Sequence, residues 1–542
     1  MLLPAAFAIN AQSPGWQWAH AAGGSASDRG TDVCSDASGN IYATGWFLSN
    51  GIAFGTDDLQ NAQSNNTADS YLVKYSPTGE VSWVRHITGP GYQSAQAVAA
   101  DDAGNVVVAG SFTTEVTLGT TTITAATADQ EALFLARYTS AGDLQWVEQF
   151  GSGGSDIVRD IAIDPAGNVV VTGIFYGGSF VAGTGNHANA SQAGTRSDLF
   201  LVKYDASGNY GWSLAAGGTE NDNSWGVATD ASGAIYVAGY YESASIAIGG
   251  QTLTNANDNY NDILIAKFDA SGTGMWAIGG GTIYHERAYD VAVDADGALY
   301  VSGAFEDATF TLGGIELTNT TPADYYDAFL AKYDADGTLQ WAHSGGGDRD
   351  DYPHALAADP TGGVVMAGSG DSPVTGFGTL QMNGSGSEDL FVVKYASDGD
   401  AVWMDHAGGS NGDHAASVAV DPAGGVVCTG YFNSDDAMAG SIGMGNATDN
   451  EIWVLKLGGT TSIAGPVAIM DIRLYPVPGA GQLFIECSGR MDEVVVYDAS
   501  GRTMHTGTPR SDRMMLSLNE PGAYFARIKT AGGTVVRPFL IE

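Results

Sequence analysis

Short apolar runs alternate with polar turns along most of the chain, and their length is that of β-strands. Around residue 240, such runs cover residues 226–230, 235–241 and 262–268, and a further run surrounds Trp276. They consist of apolar, aromatic and β-branched residues and are bounded by Asp, Ser and Gly. This composition predicts strands, and no helical period competes with it. The stretch is therefore predicted to contain four short strands.

The same pattern recurs seven times, and a tryptophan marks each copy. These tryptophans follow one another at a nearly constant interval: Trp18, Trp83, Trp146, Trp212, Trp276, Trp341 and Trp403. A glycine follows each of them at one fixed offset, as Gly239 follows Trp212, and a Lys or Arg precedes each from the second onward, as Lys203 precedes Trp212. Only the stretch between that glycine and the next cation changes in length. A repeat of this size takes precedence over any other argument about the fold.

Seven units of four strands predict an all-β chain folded as a seven-bladed β-propeller with four-stranded blades. The strand near Trp16 and Trp18 lacks the first three strands of its unit. The last unit ends with a third strand at residues 452–457 and lacks a fourth. We therefore expect the N-terminal strand to complete the last blade and to close the ring with a hydrogen-bonded ladder.

Charged residues recur with the strands. Each unit has an Asp and a Gly at fixed offsets after its Trp, such as Asp230 and Gly233 after Trp212. Six units also have an acid at a fixed offset before the cation. Asp and Gly at this spacing are typical of tight turns. Calcium binding is the alternative for these Asp residues, but no EF-hand loop with its terminal Glu follows them. We interpret the repeated charges as turn-fixing or interblade contacts.

The charge of the chain is uneven and indicates a domain boundary. The 542 residues carry 21 basic and 61 acidic side chains. Residues 469–542 contain eight of each, so the first 468 residues contain 13 basic and 53 acidic side chains, a net charge of −40. An acidic surface of this size repels phosphates and excludes nucleic acid as the main ligand.

The predicted domains follow from these patterns. Residues 1–11 have the apolar run and small residues of a truncated signal peptide. Residues 12–458 form the propeller, 459–468 a linker and 469–542 a small C-terminal β-sandwich. No later run approaches the roughly 20 apolar residues of a transmembrane helix.

The C-terminal segment resembles the type A sorting domain of the type IX secretion system of Bacteroidetes. Three motifs carry the resemblance: a Tyr-Pro-Asn-Pro opening, a Tyr-Asp-x-x-Gly-Arg turn and a late Gly-x-Tyr strand. The matching residues are Tyr475, Pro476, Pro478, Tyr497, Asp498, Gly501, Arg502, Gly522 and Tyr524. Val477 stands where the family has Asn. The resemblance implies a partner, the type IX secretion machinery, and a secreted or surface-attached protein.

The repeats resemble the seven-bladed propeller repeats of bacterial secreted proteins. Residues 36–45, Asp-Ala-Ser-Gly-Asn-Ile-Tyr-Ala-Thr-Gly, carry the typical core of that repeat. This resemblance implies the fold and is silent about the ligand.

Candidate binding residues lie in loops that break the repeat. The loops before the first strand and after the second strand of each unit open on one face, which we take as the binding face. Its candidates are Asp348, Asp350, Asp351, Tyr352, His354, Asp222, Trp225 and His285. Asp348, Asp350 and Asp351 can bind Ca²⁺, and Tyr352 a sugar; a solvated acidic loop is the alternative.

The sequence favours a secreted or cell-surface binding module with an unknown protein or glycan ligand. It contains no nucleophile elbow, zinc-protease motif or nucleotide-binding loop. A glycoside hydrolase or polysaccharide lyase on the same face remains the alternative, because carboxylates from different blades can converge there without any signature in sequence spacing.

Overall fold

The computed structural model describes most of the chain as strands and turns. The described residues are 13–63, 67–126, 130–191, 195–257, 260–321, 325–445, 449–458, 473–475, 482–486, 490–498, 502–518, 521–530 and 533–541. The predicted signal peptide and linker lie outside these ranges. The chain divides between residues 459 and 460 into two compact units, here called the propeller and the tail.

The strands of the propeller follow the repeat. In chain order they are β1 (Trp16–Ala22); β2 (Asp28–Ser35), β3 (Ile41–Phe47), β4 (Gly51–Phe54), β5 (Asp57–Gln60), β6 (Asp69–Tyr75), β7 (Val81–Thr88); β8 (Gln93–Ala100), β9 (Val106–Thr113), β10 (Glu115–Leu118), β11 (Thr121–Thr124), β12 (Glu131–Tyr138), β13 (Leu144–Phe150); β14 (Ile157–Ile163), β15 (Val169–Phe175), β16 (Ser179–Ala182), β17 (Gly185–Ala188), β18 (Asp198–Tyr204), β19 (Tyr210–Ala216); β20 (Asp222–Thr229), β21 (Ile235–Tyr241), β22 (Ser245–Ile248), β23 (Gln251–Thr254), β24 (Asp262–Phe268), β25 (Gly274–Gly280); β26 (Glu286–Val293), β27 (Leu299–Phe305), β28 (Thr309–Leu312), β29 (Ile315–Thr318), β30 (Asp327–Tyr333), β31 (Leu339–Gly346); β32 (Asp351–Ala358), β33 (Val364–Gly370), β34 (Val374–Phe377), β35 (Leu380–Asn383), β36 (Asp389–Tyr395), β37 (Ala401–Gly408); β38 (Asp413–Val420), β39 (Val426–Phe432), β40 (Met438–Ala439), β41 (Ile442–Gly443) and β42 (Glu451–Leu457).

The propeller consists of antiparallel four-stranded sheets, the blades. Blade 1 contains β2, β3, β6 and β7 from the axis outward, and each following repeat supplies the next blade in the same order. The inner strands contact one another in sequence, and β38 of the last blade contacts β2 of the first. This ring confirms the predicted all-β propeller.

The N-terminal strand completes the last blade, as the phase of the repeat predicts. β1 pairs antiparallel with β42, and Ala19 lies opposite Leu455. The sheet β38-β39-β42-β1 thus joins both ends of the propeller chain by a backbone ladder.

Each repeat also contains a small hairpin that the sequence pattern does not reveal. The hairpins lie between the second and third strands, and their strands are two to four residues long. Some extend the previous blade: β10 pairs with β7, β34 with β31, and β40 with β37. Runs as polar as Thr121–Thr124 give too little hydrophobic alternation to be recognised as strands.

Hydrophobic cores fill the spaces between neighbouring blades. One cluster joins Val107 and Leu135 of blade 2 to Val171 and Phe200 of blade 3, all fully buried. The second and third strands are buried along nearly their whole length because sheets cover both of their faces.

The repeated tryptophans and cations connect most blades to the next one. Lys203 donates to Asp164 of its own blade at 2.8 Å and to the carbonyl oxygen of Ala270 in the next blade at 3.2 Å. Trp212, paired with Lys203 across the sheet, donates its Nε1 hydrogen to the same carbonyl at 3.3 Å. Equivalent Trp-to-carbonyl bonds are made by Trp83, Trp146, Trp276 and Trp341. The repeated charges are therefore structural contacts.

The tail folds into two antiparallel sheets. Its strands are β43 (Arg473–Tyr475), β44 (Gln482–Glu486), β45 (Met491–Asp498), β46 (Thr503–Gly507), β47 (Arg513–Ser517), β48 (Gly522–Thr530) and β49 (Gly533–Ile541). One sheet has the order β43-β44-β47 and the other β46-β45-β48-β49. Ile485 and Leu516 of the first sheet pack with Val494, Val496 and Ile528 of the second, which makes the tail a small sandwich.

Candidate functional site

The loop predicted to bind a cation separates its three carboxylates. Asp348 is exposed, whereas Asp350 accepts a hydrogen bond from the backbone of Tyr326 at 2.9 Å. Asp351 is fully buried as the first residue of β32. Within the described ranges, no group of three His, Cys, Asp or Glu side chains is positioned to hold a metal ion.

Asp351 and Asp222 occupy the same position of the repeat, at or next to the start of the inner strand. The residues at this position are Asp28, Gln93, Asp156, Asp222, Glu286, Asp351 and Asp413, all fully or almost fully buried. Asp222 accepts hydrogen bonds from Gly218 at 2.7 Å and Ser243 at 2.7 Å, which fix the loops on either side. Burial raises the pKa of Asp222 and of Asp351 to about 7. The two side chains occupy a repeated position and accept hydrogen bonds from backbone N–H groups of the adjacent loops.

His285 lies in a loop away from the axis. Its Nδ1 accepts a hydrogen bond from the backbone of Asn261 at 3.3 Å, and its ring lies 4.9 Å from that of Tyr260. Burial and the nearby Arg287 lower the pKa of His285. This imidazole therefore belongs to the interface between blades 4 and 5.

Trp225 and His354 line a cavity of about 200 Å³ at the propeller axis. Inner strands of all seven blades contribute to it. Its lining includes Thr31, Asp32, Gln96, Arg159, Asp160, Trp225, Tyr289, Asp290, His354 and Ser417. The structure thus brings together unlike residues that are about one repeat apart in sequence.

A β-bulge in each inner strand directs one residue toward this cavity. In blade 4, Ser224 pairs with Gly239 and Gly226 with Ala238, so Trp225 has no partner in the ladder. A Cβ on Gly239 would lie 1.9 Å from the carbonyl oxygen of Asn223. The glycine that follows each Trp at a fixed offset is therefore required by the close approach of the bulged strand.

The bulged residue differs from blade to blade. In order, the seven positions, all at one fixed offset after the Trp, hold Thr31, Gln96, Arg159, Trp225, Tyr289, His354 and Ala416. The variation among the repeats at this single position is the signal that the sequence offers for these residues, and the structure shows that they face the axis. Reasoning from loops alone found only Trp225 and His354 among them.

Three buried carboxylates form the next layer of the cavity. Asp290 accepts hydrogen bonds from Val291 at 2.7 Å and from Leu356 of the next blade at 2.6 Å. Asp32 and Asp160 make the equivalent bonds in blades 1 and 3. These carboxylates bridge adjacent inner strands.

Burial raises the pKa of all three axial carboxyls. The pKa of Asp32 reaches about 6 and that of Asp290 about 7. For Asp160, burial and the neighbouring charges of Asp290 and Asp32 act in the same direction and raise the pKa further. The lower layer of the cavity therefore loses negative charge at mildly acidic pH.

Among the seven bulged residues, Arg159 is the one Lys or Arg. Its guanidinium carbon lies 4.0 Å from the ring centroid of Trp225, whose ring in turn meets Tyr289 edge-on at 5.6 Å. Burial lowers the pKa of Arg159. Neither its Nε nor the Nε1 of Trp225 has a hydrogen-bond acceptor among the described residues, although both atoms are buried.

Two further arginines lie over aromatic rings on the same face. Arg29 lies 4.3 Å from the ring centroid of Tyr431 and 5.5 Å from that of Trp46. Arg287 lies 5.3 Å from the ring centroid of Tyr240 and 5.8 Å from that of Tyr326. Both occupy the position two residues before the bulge, so the mouth of the cavity carries cations stacked on aromatic rings.

Tyr352 belongs to this aromatic mouth. Its ring lies 6.3 Å from Tyr289 and 5.4 Å from Tyr326. Next to it, His354 shares a hydrogen bond of 2.9 Å with Ser369, and burial lowers the pKa of His354 to about 4. The imidazole is therefore neutral over the usual pH range.

A larger cavity of about 520 Å³ lies on the opposite face. It is lined by residues of the repeated turns, among them Asp101, Arg137, Asp164 and Asp230. Arg137 pairs there with Asp101 and donates to the carbonyl of Gly167 at 2.9 Å. Because these groups satisfy one another, the smaller axial cavity is the better candidate site.

In the tail, two of the three sorting motifs lie on paired strands. Asp498 is opposite Tyr524, and Tyr497 is opposite Phe525, between β45 and β48. Tyr475 ends β43, Gly522 begins β48, and Arg502 is exposed. Pro476, Pro478 and Gly501 lie outside the described residues.

Two protein families match the chain. Residues 473–542 match the family described as "Secretion system C-terminal sorting domain". Residues 145–173 match the family described as "Beta-propeller repeat". That segment runs from the residue before Trp146 to Gly173, the glycine of the bulge in blade 3.

Two proteins are similar to this chain at low identity. The uncharacterized WD repeat-containing protein L264 of Acanthamoeba polyphaga mimivirus is 23% identical over 504 residues, which cover 77% of this chain and 36% of the viral protein. Regulatory protein FlaEY of Caulobacter vibrioides is 26% identical over 216 residues, 39% of this chain and 22% of its own. The chain thus spans well under half the length of either relative.

Among solved structures, the WD40 domain of Neurospora crassa Pan2 is similar with a TM-score of 0.38. It is 8% identical, and the match covers 79% of this chain and 89% of that one. No helix in the described part of the chain is long and apolar enough to cross a membrane. Both resemblances found in the sequence are confirmed: the chain is a β-propeller repeat protein that carries the C-terminal sorting domain of the type IX secretion system.

Proposed function

We propose that this exported protein is a binding module whose ligand enters the axial cavity from the face that carries Trp225, Tyr289 and Tyr352. The sorting domain indicates export to the cell surface or the medium. The residues at the bulged position of the inner strands support a ligand site at the axis. There the repeat gives way to unlike polar and aromatic residues from every blade.

The contrast between repeated and unrepeated residues supports this assignment. The repeated Lys and turn Asp side chains, and five of the seven repeated Trp side chains, bond to neighbouring blades or turns, as Lys203 does with Asp164 and Ala270. The Nε1 atoms of Trp18 and Trp403 lack an acceptor among the described residues. The three carboxylates of the cavity bridge strands. Arg159 and Trp225 instead stack on each other and make no hydrogen bond to the described protein. Polar groups that a fold buries without using them are typical of binding sites.

The binding test uses the purified full-length chain on a glycan array and against secreted proteins, followed by variants of the mouth. Trp225→Ala and Tyr289→Ala are expected to reduce binding. Met275→Ala is the control, because Met275 is 55% exposed on the outer strand β25 and is not among the residues that line the cavity. Binding that survives both mouth substitutions would place the ligand elsewhere.

A polysaccharide hydrolase or lyase is the alternative function, and the same protein tests it. Each axial carboxylate accepts two backbone hydrogen bonds that hold neighbouring strands, which favours a structural role for these groups. Release of reducing sugars or of unsaturated products from any polysaccharide would support the enzyme and contradict the binding module.

Export is tested by truncation after Leu457, which keeps all strands of the propeller. We expect the truncated protein to remain in the periplasm and the full-length chain to reach the surface or medium. Fusion of residues 459–542 to an unrelated periplasmic protein is the matched control and should lead to its export. Appearance of the truncated propeller in the medium would contradict this role of the tail.

A further inference from the structure

The geometry points to a single carboxylate group as the part of the ligand that the axial cavity binds. The N–H groups at the edge of the Arg159 guanidinium hold this carboxylate, while Trp225 covers the face of the guanidinium. This inference deepens the proposed function and rests on it. The shared chemistry is a planar monoanion, which either a small free acid or the acidic end of a longer molecule supplies.

Arg159 lacks a polar partner within the described part of the protein. The other axial polar groups have protein partners: Asp32, Asp160 and Asp290 accept backbone hydrogen bonds, and His354 contacts Ser369. Arg159 has no hydrogen bond or ion pair with any described residue, and its Nε is buried. A buried guanidinium without an anion is costly, so its retention at the axis indicates a partner from outside the chain.

Arg159 lies over the ring of Trp225, with its guanidinium carbon 4.0 Å from the indole centroid. The N–H groups of a guanidinium lie in its plane and point away from its central carbon. The edge of this plane matches the two oxygens of a carboxylate in a bidentate pair. The Nε1 of Trp225 adds a second donor without an acceptor on the wall of the same cavity.

The electrostatics and the volume of the cavity limit the charge and the size of the ligand. The carboxylates Asp32, Asp160 and Asp290 line the same cavity, and the whole chain has a net charge of −40. The net charge of the chain, together with those axial carboxyls that are ionised, repels a dianion or polyanion more strongly than a single negative charge. A volume of about 200 Å³ also lies below the range of roughly 300–1,000 Å³ typical of ligand pockets. The cavity therefore suits one small monocarboxylate or one terminal acidic group.

The experiment is calorimetric titration of the full-length chain with pairs of probes that differ in one charge. D-glucuronate and benzoate are the monocarboxylates, D-glucose and benzamide their neutral counterparts, and inorganic phosphate the dianion. An oligosaccharide with one terminal glucuronate separates a free acid from the end of a chain. We expect the monocarboxylates to bind and the neutral probes and phosphate to bind at least about tenfold more weakly.

Variants assign the binding to Arg159. Arg159→Gln should weaken carboxylate binding about tenfold or more. Arg159→Lys should retain only part of the affinity, because lysine keeps the positive charge but lacks the two parallel N–H donors of the guanidinium. Trp225→Phe should weaken binding severalfold through loss of Nε1. Arg349→Gln is the control, since it removes the same charge from an exposed side chain in a loop before an inner strand. Unfolding curves verify that every variant is folded.

Three outcomes would overturn the inference: equal binding of acid and neutral probes, equal binding by Arg159→Gln, or no carboxylate binding by the folded chain. If neutral glycans bind and Trp225→Ala abolishes their binding, the proposed axial site stands and only the carboxylate assignment fails. If no ligand depends on Trp225 or Tyr289, the proposed function fails as well.

Discussion

The guanidinium of Arg159 stacks on the indole of Trp225 at 4.0 Å, across the boundary between blades 3 and 4. Both side chains occupy the bulged position of their inner strands, where the ladder leaves a residue without a partner. A contact of this kind between neighbouring repeats adds little to the closure of the ring, which depends on other residues. The following predictions separate the residues that hold the propeller together from those available to a ligand.

Replacement of Arg159 by Met should leave the free energy of unfolding within about 0.5 kcal/mol of the wild type or increase it, because the change removes a buried charge without a partner. Arg137→Met should cost about 3 kcal/mol, since it leaves Asp101 unpaired and removes a bond to the next turn. Urea unfolding measures both. Equal destabilisation by the two substitutions would show that Arg159 is structural.

Gly239→Ala should destabilise the propeller by about 3 kcal/mol or more, because its Cβ would lie 1.9 Å from the carbonyl oxygen of Asn223. Gly178→Ala is the matched control: no heavy atom lies within 4 Å of the added carbon. Thermal unfolding of the two variants compares them directly. A tolerated Gly239→Ala would contradict the steric origin of the repeated glycine.

Asp290→Ala should cost about 2–4 kcal/mol, since the backbone N–H groups of Val291 and Leu356 lose their carboxyl acceptor inside the protein. Asp296→Ala, in an exposed turn of the same blade, should change stability by less than about 0.5 kcal/mol. Hydrogen exchange at Leu356 gives a local readout. Unchanged protection there would argue against the interblade bond.

The Lys203–Asp164 pair should show strong coupling in a double-mutant cycle. Lys203→Met leaves Asp164 buried without its cation and should cost about 3 kcal/mol, whereas addition of Asp164→Asn should recover part of the loss. Burial alone would raise the pKa of Asp164, but hydrogen bonds from Lys203 and Asn168 bring it below its usual value. Additive costs in the cycle would show that the contact is energetically minor.

Stability should fall as the pH rises from 5 to 8. Burial raises the pKa of Asp351 in the folded chain to about 7, above its ordinary value of 3.8. Its contribution is therefore fully present below about pH 4 and is lost as the pH passes through 7, on the order of 2–4 kcal/mol for this group.

In the wild type, Thr375 donates a hydrogen bond to Asp351 at 2.9 Å. The variant Asp351→Asn imitates the protonated side chain and keeps a contact to Thr375. It should lose less stability than the wild type between pH 5 and 8. The exposed Asp348→Asn is the control and should retain the pH dependence of the wild type. A wild-type stability that rises over this interval would contradict the raised pKa values.

The repeat made most of the fold predictable. Strand runs such as residues 235–241, the Trp spacing and the incomplete end units together predict the ring and its closure by β1. The small hairpins escaped prediction because their strands are only two to four residues long, which is too short for a clear alternation of apolar and polar residues. Asp222 and Asp351 were predicted to be binding residues in loops. They occupy an equivalent position in each repeat and accept hydrogen bonds from the backbone of loops.

The axial cavity depends on which side chains lie close together in space, and the spacing of residues along the sequence does not give this. Arg159 and Trp225 lie in successive repeats, and Asp160 and Asp290 lie two repeats apart, but closure of the ring brings each pair to the same channel. Sequence comparison among the repeats shows that the bulged position varies, without showing that it faces the axis.

By itself the sequence determined the strands, the turns, the sorting tail and the closed ring, because each follows from local patterns repeated at a fixed interval. Only the tertiary structure decided which carboxylates hold strands together and which side chains face a cavity. That decision depends on the bulge opposite each repeated glycine, such as Gly239, which turns one residue per blade out of the ladder. Ring closure then places these seven residues around one axis. Their neighbours there come from other repeats, so the local sequence around each residue does not determine them.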